Sequence, residues 1–308
     1  MVPRYRQILG WFAVVLSTFA ACFWAFWGII ENFHEGWYHP SLWMNLVMMV
    51  AQYLLPMLLF VGAGVVAIGW PKMGSGLHVA GALYAAWRFL GGGASPVGVS
   101  VSLVGPLLVM AICYWLGRAQ PRRWAVAAVV GCPLITLLIC GSEPVYRLSG
   151  RLDDWDRGIR LVQGNGVKLL WAPKGPGWPD DGVSWHEAVR RCRYLTAEGT
   201  DLADTPQDVW RLPTIEEVVR SSCRHGQHSG GTWDAVDGIA RFQVMPDKES
   251  PLWDVHSKII YWWTSTEIDP EQALRISYNG HVMPMPKKVG YGYLGFRAVK
   301  EAARTKGG

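Results

Sequence analysis

Up to Gly141 the chain is a succession of long apolar runs containing only two acids, Glu31 and Glu35. Seven basic residues (Arg4, Arg6, Lys72, Arg88, Arg118, Arg122 and Arg123) punctuate the same stretch. Backbone buried in hydrocarbon must satisfy its own hydrogen bonds, so runs of this length predict membrane-spanning helices. Beyond Gly141 the chain turns polar and tryptophan-rich, with 22 basic and 22 acidic residues. The net charge of +5 therefore belongs entirely to the apolar part. The polar part is neutral and carries no basic stripe, which argues against a nucleic-acid partner.

Five spans can be drawn, at about 8–30, 42–68, 73–90, 97–116 and 124–140, within a transmembrane domain 1–141. Pro56 and Pro106 fall inside the second and fourth, and the third is shortest. Connections bearing Lys or Arg alternate with connections lacking them. The positive-inside rule then predicts a cytoplasmic N-terminus and an external polar part, as in a bacterial inner-membrane protein with a periplasmic or extracellular domain. The first apolar run continues through Phe23-Trp24-Ala25-Phe26-Trp27, which argues against a cleaved signal peptide. Arg88 and His78 lie near span ends and read as interfacial side chains. Gly62, Gly64 and Gly69 suggest close helix packing.

In the polar part, Ser184-Trp185-His186-Glu187 and Thr214-Ile215-Glu216-Glu217 each have the form of a helix-capping box. Trp185, Ala188, Val189, Cys192 and Leu195 recur on one face of the first helix. Ile215, Val218 and Val219 do so on the second. Strand-like runs cover 166–171, 259–264, 273–278 and 295–300. Asn279-Gly280 between apolar runs signals a hairpin. Residues 142–157 read as a linker and 301–308 as a tail.

Several pieces occur in a familiar order: Gly182-Val183-Ser184-Trp185-His186-Glu187-Ala188, Cys192-Arg193-Tyr194-Leu195 and Trp210-Arg211-Leu212-Pro213-Thr214. Tyr261-Trp262-Trp263-Thr264-Ser265-Thr266-Glu267 and Gly295-Phe296-Arg297-Ala298-Val299 follow. Over about 158–300 this resembles the Lcl C-terminal domain family and is similar to the formylglycine-generating (sulfatase-modifying factor) family. The resemblance implies an α+β C-type-lectin-like domain following the α-helical membrane bundle. The enzymes of that group hold copper with a cysteine pair on the C-terminal side of the fold, and this chain has no cysteine after Cys223. That departure points away from oxidase chemistry and toward binding.

Candidate site residues follow from the same stretch. Trp233 and Asp234 in an irregular loop, with Asn279 and His281 at the hairpin tip, are candidate ligand contacts. Cys223, His225 and His228 are a loose zinc-like set, although Cys-x-His-x-x-His is not a common finger spacing. Cys192 and Cys223 both fall on inward helix faces, either as a disulfide or as two separate buried thiols. The acids around Asp153, Asp180 and Asp234 match no dedicated calcium loop and read as turns. No cofactor is expected; calcium or zinc are the ions these groups would suit. No Gly-x-Ser-x-Gly elbow, phosphate loop or His-Glu-x-x-His motif occurs.

These readings combine into a membrane-anchored, extracytoplasmic recognition protein that binds a glycan, peptide or protein partner without catalysis. Its partners would be the lipid bilayer and another membrane protein or a second copy of itself. The alternatives are a membrane-tethered formylglycine-generating-like enzyme and a structural subunit of a membrane complex.

Overall fold

The computed structural model describes residues 2–93 and 95–302; most of the expected tail, 303–308, lies outside the described residues. The chain divides into two compact units. One runs to Tyr146 apart from Tyr38–Pro40, and the other comprises Tyr38–Pro40 and the chain from Arg147.

The first unit is helical. Helix α1 (Arg4–Glu31) ends in a π-helical turn, Asn32–Gly36. Helices α2 (Leu42–Met48) and α3 (Leu55–Gly69) are joined by a π-helical segment, Met49–Leu54. Helix α4 covers Pro71–Leu90, and α5 (Pro96–Val99) passes through a π-helical segment, Ser100–Val104, into α6 (Gly105–Leu116). Helix α7 covers Arg122–Ser149. The π-helical segments of the second and fourth runs lie just before Pro56 and Pro106. Proline brings no N–H and crowds the carbonyl four residues back, and the wider turn relieves that conflict without ending the helix.

Four of these stretches are long and apolar enough to cross a membrane: Arg4–Gly36, Leu42–Gly69, Pro96–Leu116 and Arg122–Ser149. Helix α4 has 20 residues, the length of a span, but a less apolar composition. It packs against α3 and α6, and both of these pack against α1, so the four close a ring. Helix α7 continues through Gly141 to Ser149, past the compositional break. The hydrophobic run ends where side chains turn polar, but the backbone ladder continues, and Pro144 withdraws a single donor from it.

The ring closes on glycines. A Cβ at Gly74 would lie 2.2 Å from Ala67 Cα, and one at Gly10 would lie 2.3 Å from the Ala119 nitrogen. Gly64 meets Val129, whereas Gly62 and Gly69 face open space. The expected packing role therefore holds for Gly64 alone of those three, and Gly10, Gly28 and Gly74 make the closest approaches.

The second unit is strand-rich. Strands β1 (Arg160–Gly164) and β2 (Val167–Trp171) form a hairpin, and β11 (Val299–Glu301) adds to β2 antiparallel. Strands β7 (Tyr261–Glu267), β8 (Gln272–Ser277), β9 (Val282–Pro286) and β10 (Leu294–Gly295) form a sheet of order β10-β7-β8-β9. Two small hairpins, β3 (Cys223–Arg224) with β4 (Gln227–His228) and β5 (Thr232–Asp234) with β6 (Ile239–Arg241), give structure to the stretch after Arg224.

Helices α8 (Trp185–Tyr194) and α9 (Ile215–Ser221) start at Ser184 and Thr214. At α9 the box is reciprocal: Glu217 N–H donates to Thr214 Oγ1 at 3.2 Å, and Thr214 N–H to Glu217 Oε2 at 2.8 Å. At α8 only the serine half forms, because the Glu187 carboxylate turns forward to Arg190 and Arg191.

Alternation along β7 and β8 feeds two cores. Trp262 and Ile276 join the core beneath α9 with Ile215, Val218 and Val219. Trp263 and Ala273 join the core beneath α8 with Ala188 and Cys192. Val189, placed on the apolar face by periodicity, is 37% exposed at its edge.

Gly74→Val should lower the melting temperature in detergent, at a cost of about 1–3 kcal/mol for overpacking. Gly76→Val, where a Cβ meets open space, should leave it unchanged. Equal melting of the two variants would contradict the close α3–α4 approach.

Candidate functional site

The structure distributes the sequence candidates over separate hairpins. Trp233 lies on β5, half-buried against the core under α9. Asp234 Oδ1 accepts from the Val236 and Asp237 amides at 3.0 and 3.1 Å and so closes its own turn. Asn279 and His281 flank Gly280 in the β8–β9 turn. The Ser277 hydroxyl donates to Asn279 Oδ1 and accepts from the His281 amide. Gly280, at φ +83, lies under Phe242, so the turn is packed and His281 is its exposed member.

The zinc-like set does not converge. His228 Nε2 lies 3.0 Å from the Gln163 carbonyl and Nδ1 lies 3.3 Å from that of Arg220, so both ring nitrogens are occupied. His225 is exposed, and its amide donates to the Glu249 carboxylate. Among the described residues the one group of three ligands within 4.8 Å of one another is Glu31, His34 and Glu35, on the π-helical turn after α1. Their i, i+3, i+4 spacing was the available signal in the sequence.

Cys192 and Cys223 are free, buried thiols rather than a bridge. Cys192 packs in the α8 core, and the Cys223 thiol donates to the Ser221 carbonyl at 3.1 Å. Burial pushes both thiol pKa values up, that of Cys223 to about 12, so neither is a ready thiolate.

The acids that resembled calcium ligands are paired with neighbouring cations. Asp153 bonds Arg157, Asp154 and Asp156 bond Arg160, and Asp180 lies 2.6 Å from Lys174.

A buried ionic network occupies the segment before β7, where sequence reading placed irregular loop. Asp247 accepts from Arg151 at 2.8 Å and Arg224 at 2.7 Å. Burial alone would raise its pKa, but the arginines outweigh burial and hold its carboxyl below the usual range. Asp254 accepts from Arg157 at 3.0 Å and Lys174 at 2.8 Å. Beside them Lys248 is buried, its Nζ donating to the Ser257 carbonyl. Burial, then repulsion from Arg151, lowers its pKa to about 7, while Asp254 and Asp247 oppose the shift and Lys174 adds to it.

The α8-side face of the four-stranded sheet presents a different arrangement. Arg275 on β8 stands between Trp263 on β7 and Met283 on β9. Its guanidinium carbon sits 3.6 Å from the centre of the Tyr261 ring. Tyr261 meets Tyr293 edge-on at 5.7 Å, and Tyr293 stacks on Tyr291 at 5.4 Å and 24°. A close backbone approach holds this loop: a Cβ on Gly182 would lie 1.7 Å from the Tyr291 carbonyl oxygen. The result is a row of side chains leading from a buried cation to Tyr291, which is 47% exposed. The sequence reading missed Arg275, which sits at a polar position of an alternating strand and so reads as solvent-facing.

The Lys248 geometry makes a pH prediction. Between about pH 7 and about pH 10.4 the unfolded chain holds a proton on this lysine that the native state releases. Stability should therefore rise with pH across that window, by up to about 1.4 kcal/mol per unit. Below the window the penalty is fully present. Melting curves of Lys248→Met should be flatter than wild type there and lie higher at pH 6. Parallel curves would contradict the buried, neutral amine.

No protein-family model, curated protein or solved structure matches this chain.

Proposed function

We propose that this chain is a membrane-anchored recognition protein whose strand-rich unit binds a ligand or partner outside the cytoplasm without performing chemistry on it. In this reading five helices span the membrane, α4 being the fifth, with the N-terminus in the cytoplasm. The strand-rich unit has a C-type-lectin-like fold. Support for five spans comes from the length of α4, its place in the ring with α1, α3 and α6, and the alternation of basic and non-basic connections.

The observation that carries the recognition reading is the Arg275–tyrosine row. Strands β7 and β8 hold Tyr261 and the guanidinium together, and the loop before β10 carries Tyr293 and Tyr291 on to the surface. Charged and aromatic groups on a rigid base are binding elements. The two cysteines, buried and held as thiols, favour binding over thiol-based catalysis. Glycan, peptide and protein ligands all fit this reading, as does a membrane-protein partner or a second copy of the chain.

Two experiments test it. A reporter fused after Gly308 should be active only outside the cytoplasm. Four spans without α4 would return that end to the cytoplasmic side, and cytoplasmic activity would contradict the topology. Pull-down of the intact protein in mild detergent, with metal analysis of the same sample, should capture a partner without stoichiometric metal. Stoichiometric copper or iron would replace the recognition reading with the enzymatic one.

A further inference from the structure

Arg275 and Arg297 are both buried in the strand-rich unit, at 8% and 0% exposure, and they are treated in opposite ways. Arg297 donates to backbone carbonyls through Nε and Nη1. Arg275 Nε and Nη1 are turned from solvent and have no hydrogen-bond partner among the described residues. Its Nη2 has a 3.8 Å contact with Met283 Sδ, a weak acceptor. A guanidinium cannot shed its charge. Donors held in a dry setting without acceptors are costly, and the Tyr261 ring face offsets only part of that cost.

We infer that Arg275 is the anion-binding centre of a ligand site lined by Tyr261 and Tyr293, and that it takes a small aromatic carboxylate. The assignment rests on the recognition reading above and goes beyond the ligands given there. The carboxylate follows from the guanidinium: it is acceptor-only, and charge-assisted bonds to it are strongest where water is excluded. The aromatic body follows from the tyrosines, whose stacked rings extend toward the surface and favour an offset or edge-on ring. The small size follows from the cover. Met283, on edge strand β9, is 42% exposed, and its unbranched side chain can rotate aside without moving the backbone.

The test is calorimetric titration of the full chain in mild detergent with benzoate, acetate and benzamide. Benzoate should bind saturably, with acetate and benzamide each weaker by about tenfold or more. Arg275→Met should abolish benzoate binding while keeping the wild-type circular dichroism spectrum. Tyr293→Ala, at a half-buried position, should weaken benzoate and leave acetate unchanged. The proposal is overturned by an absence of saturable benzoate binding, by benzamide binding as tightly as benzoate, or by Arg275→Met binding like wild type. If Arg275→Met does not fold, Tyr293→Ala decides, and an unchanged benzoate affinity overturns the site. A chain that ignores benzoate but holds a partner in the pull-down loses this site and keeps the recognition reading.

Discussion

The guanidinium of Arg297 is wholly buried and is surrounded by backbone carbonyls rather than carboxylates. It donates to Ala172 at 2.8 Å, Leu252 at 2.7 Å and Pro251 at 3.0 Å, and the ring of Trp178 lies 3.6 Å from its central carbon. Burial, and after it the nearby Arg160 and Arg157, drives its pKa down, yet the carbonyl dipoles satisfy its donors. Three segments remote in sequence thereby meet at one side chain. Irregular loops carry polar backbone groups that a sheet ladder would otherwise satisfy. A planar cation with five donors can serve several of them at once.

The helical unit solves its backbone problem differently. Its spans keep their hydrogen bonds within each run, and the prolines are absorbed by π-helical turns instead of breaks. Close approach at Gly10, Gly28 and Gly74 brings the helix backbones together. Inside, Tyr114 donates to Ser17 at 3.0 Å and Ser17 reaches Met110 Sδ at 3.3 Å. This small polar chain links α1 and α6.

Local signals were legible wherever they act within a few residues. The caps at Ser184 and Thr214, the Asn279-Gly280 hairpin and the apolar faces of α8 and α9 are set by neighbours in sequence. The difference between the two capping boxes was not legible, because Arg190 and Arg191 compete for Glu187 only once the helix exists. The roles of Arg297, Asp247 and Lys248 were equally hidden. Arg224 and Asp247 are 23 positions apart, Arg151 and Asp247 96, and Ala172 and Arg297 125, while Lys248 feels Arg151 from the far side of the same network. The surroundings of the site candidates were hidden for a related reason. Trp233 and Asp234 looked free in a polar stretch, but one packs on the core and the other closes a turn. Arg275 fits the polar beat of an alternating strand, and only the packing of both sheet faces shows that it is buried.

Arg297 and Arg275 define the central claim: one buried guanidinium is spent on holding the fold, and the other is kept for something outside it. Thermal melting of Arg297→Met and Arg275→Met in the same detergent compares them directly. Removing Arg297 strands several buried carbonyls, so its variant should lose about 3–5 kcal/mol or fail to fold. Removing Arg275 takes away a buried charge without acceptors, so its variant should melt at or above the wild-type temperature. An Arg297→Met protein as stable as wild type, or an Arg275→Met protein destabilised as much as Arg297→Met, would contradict the account.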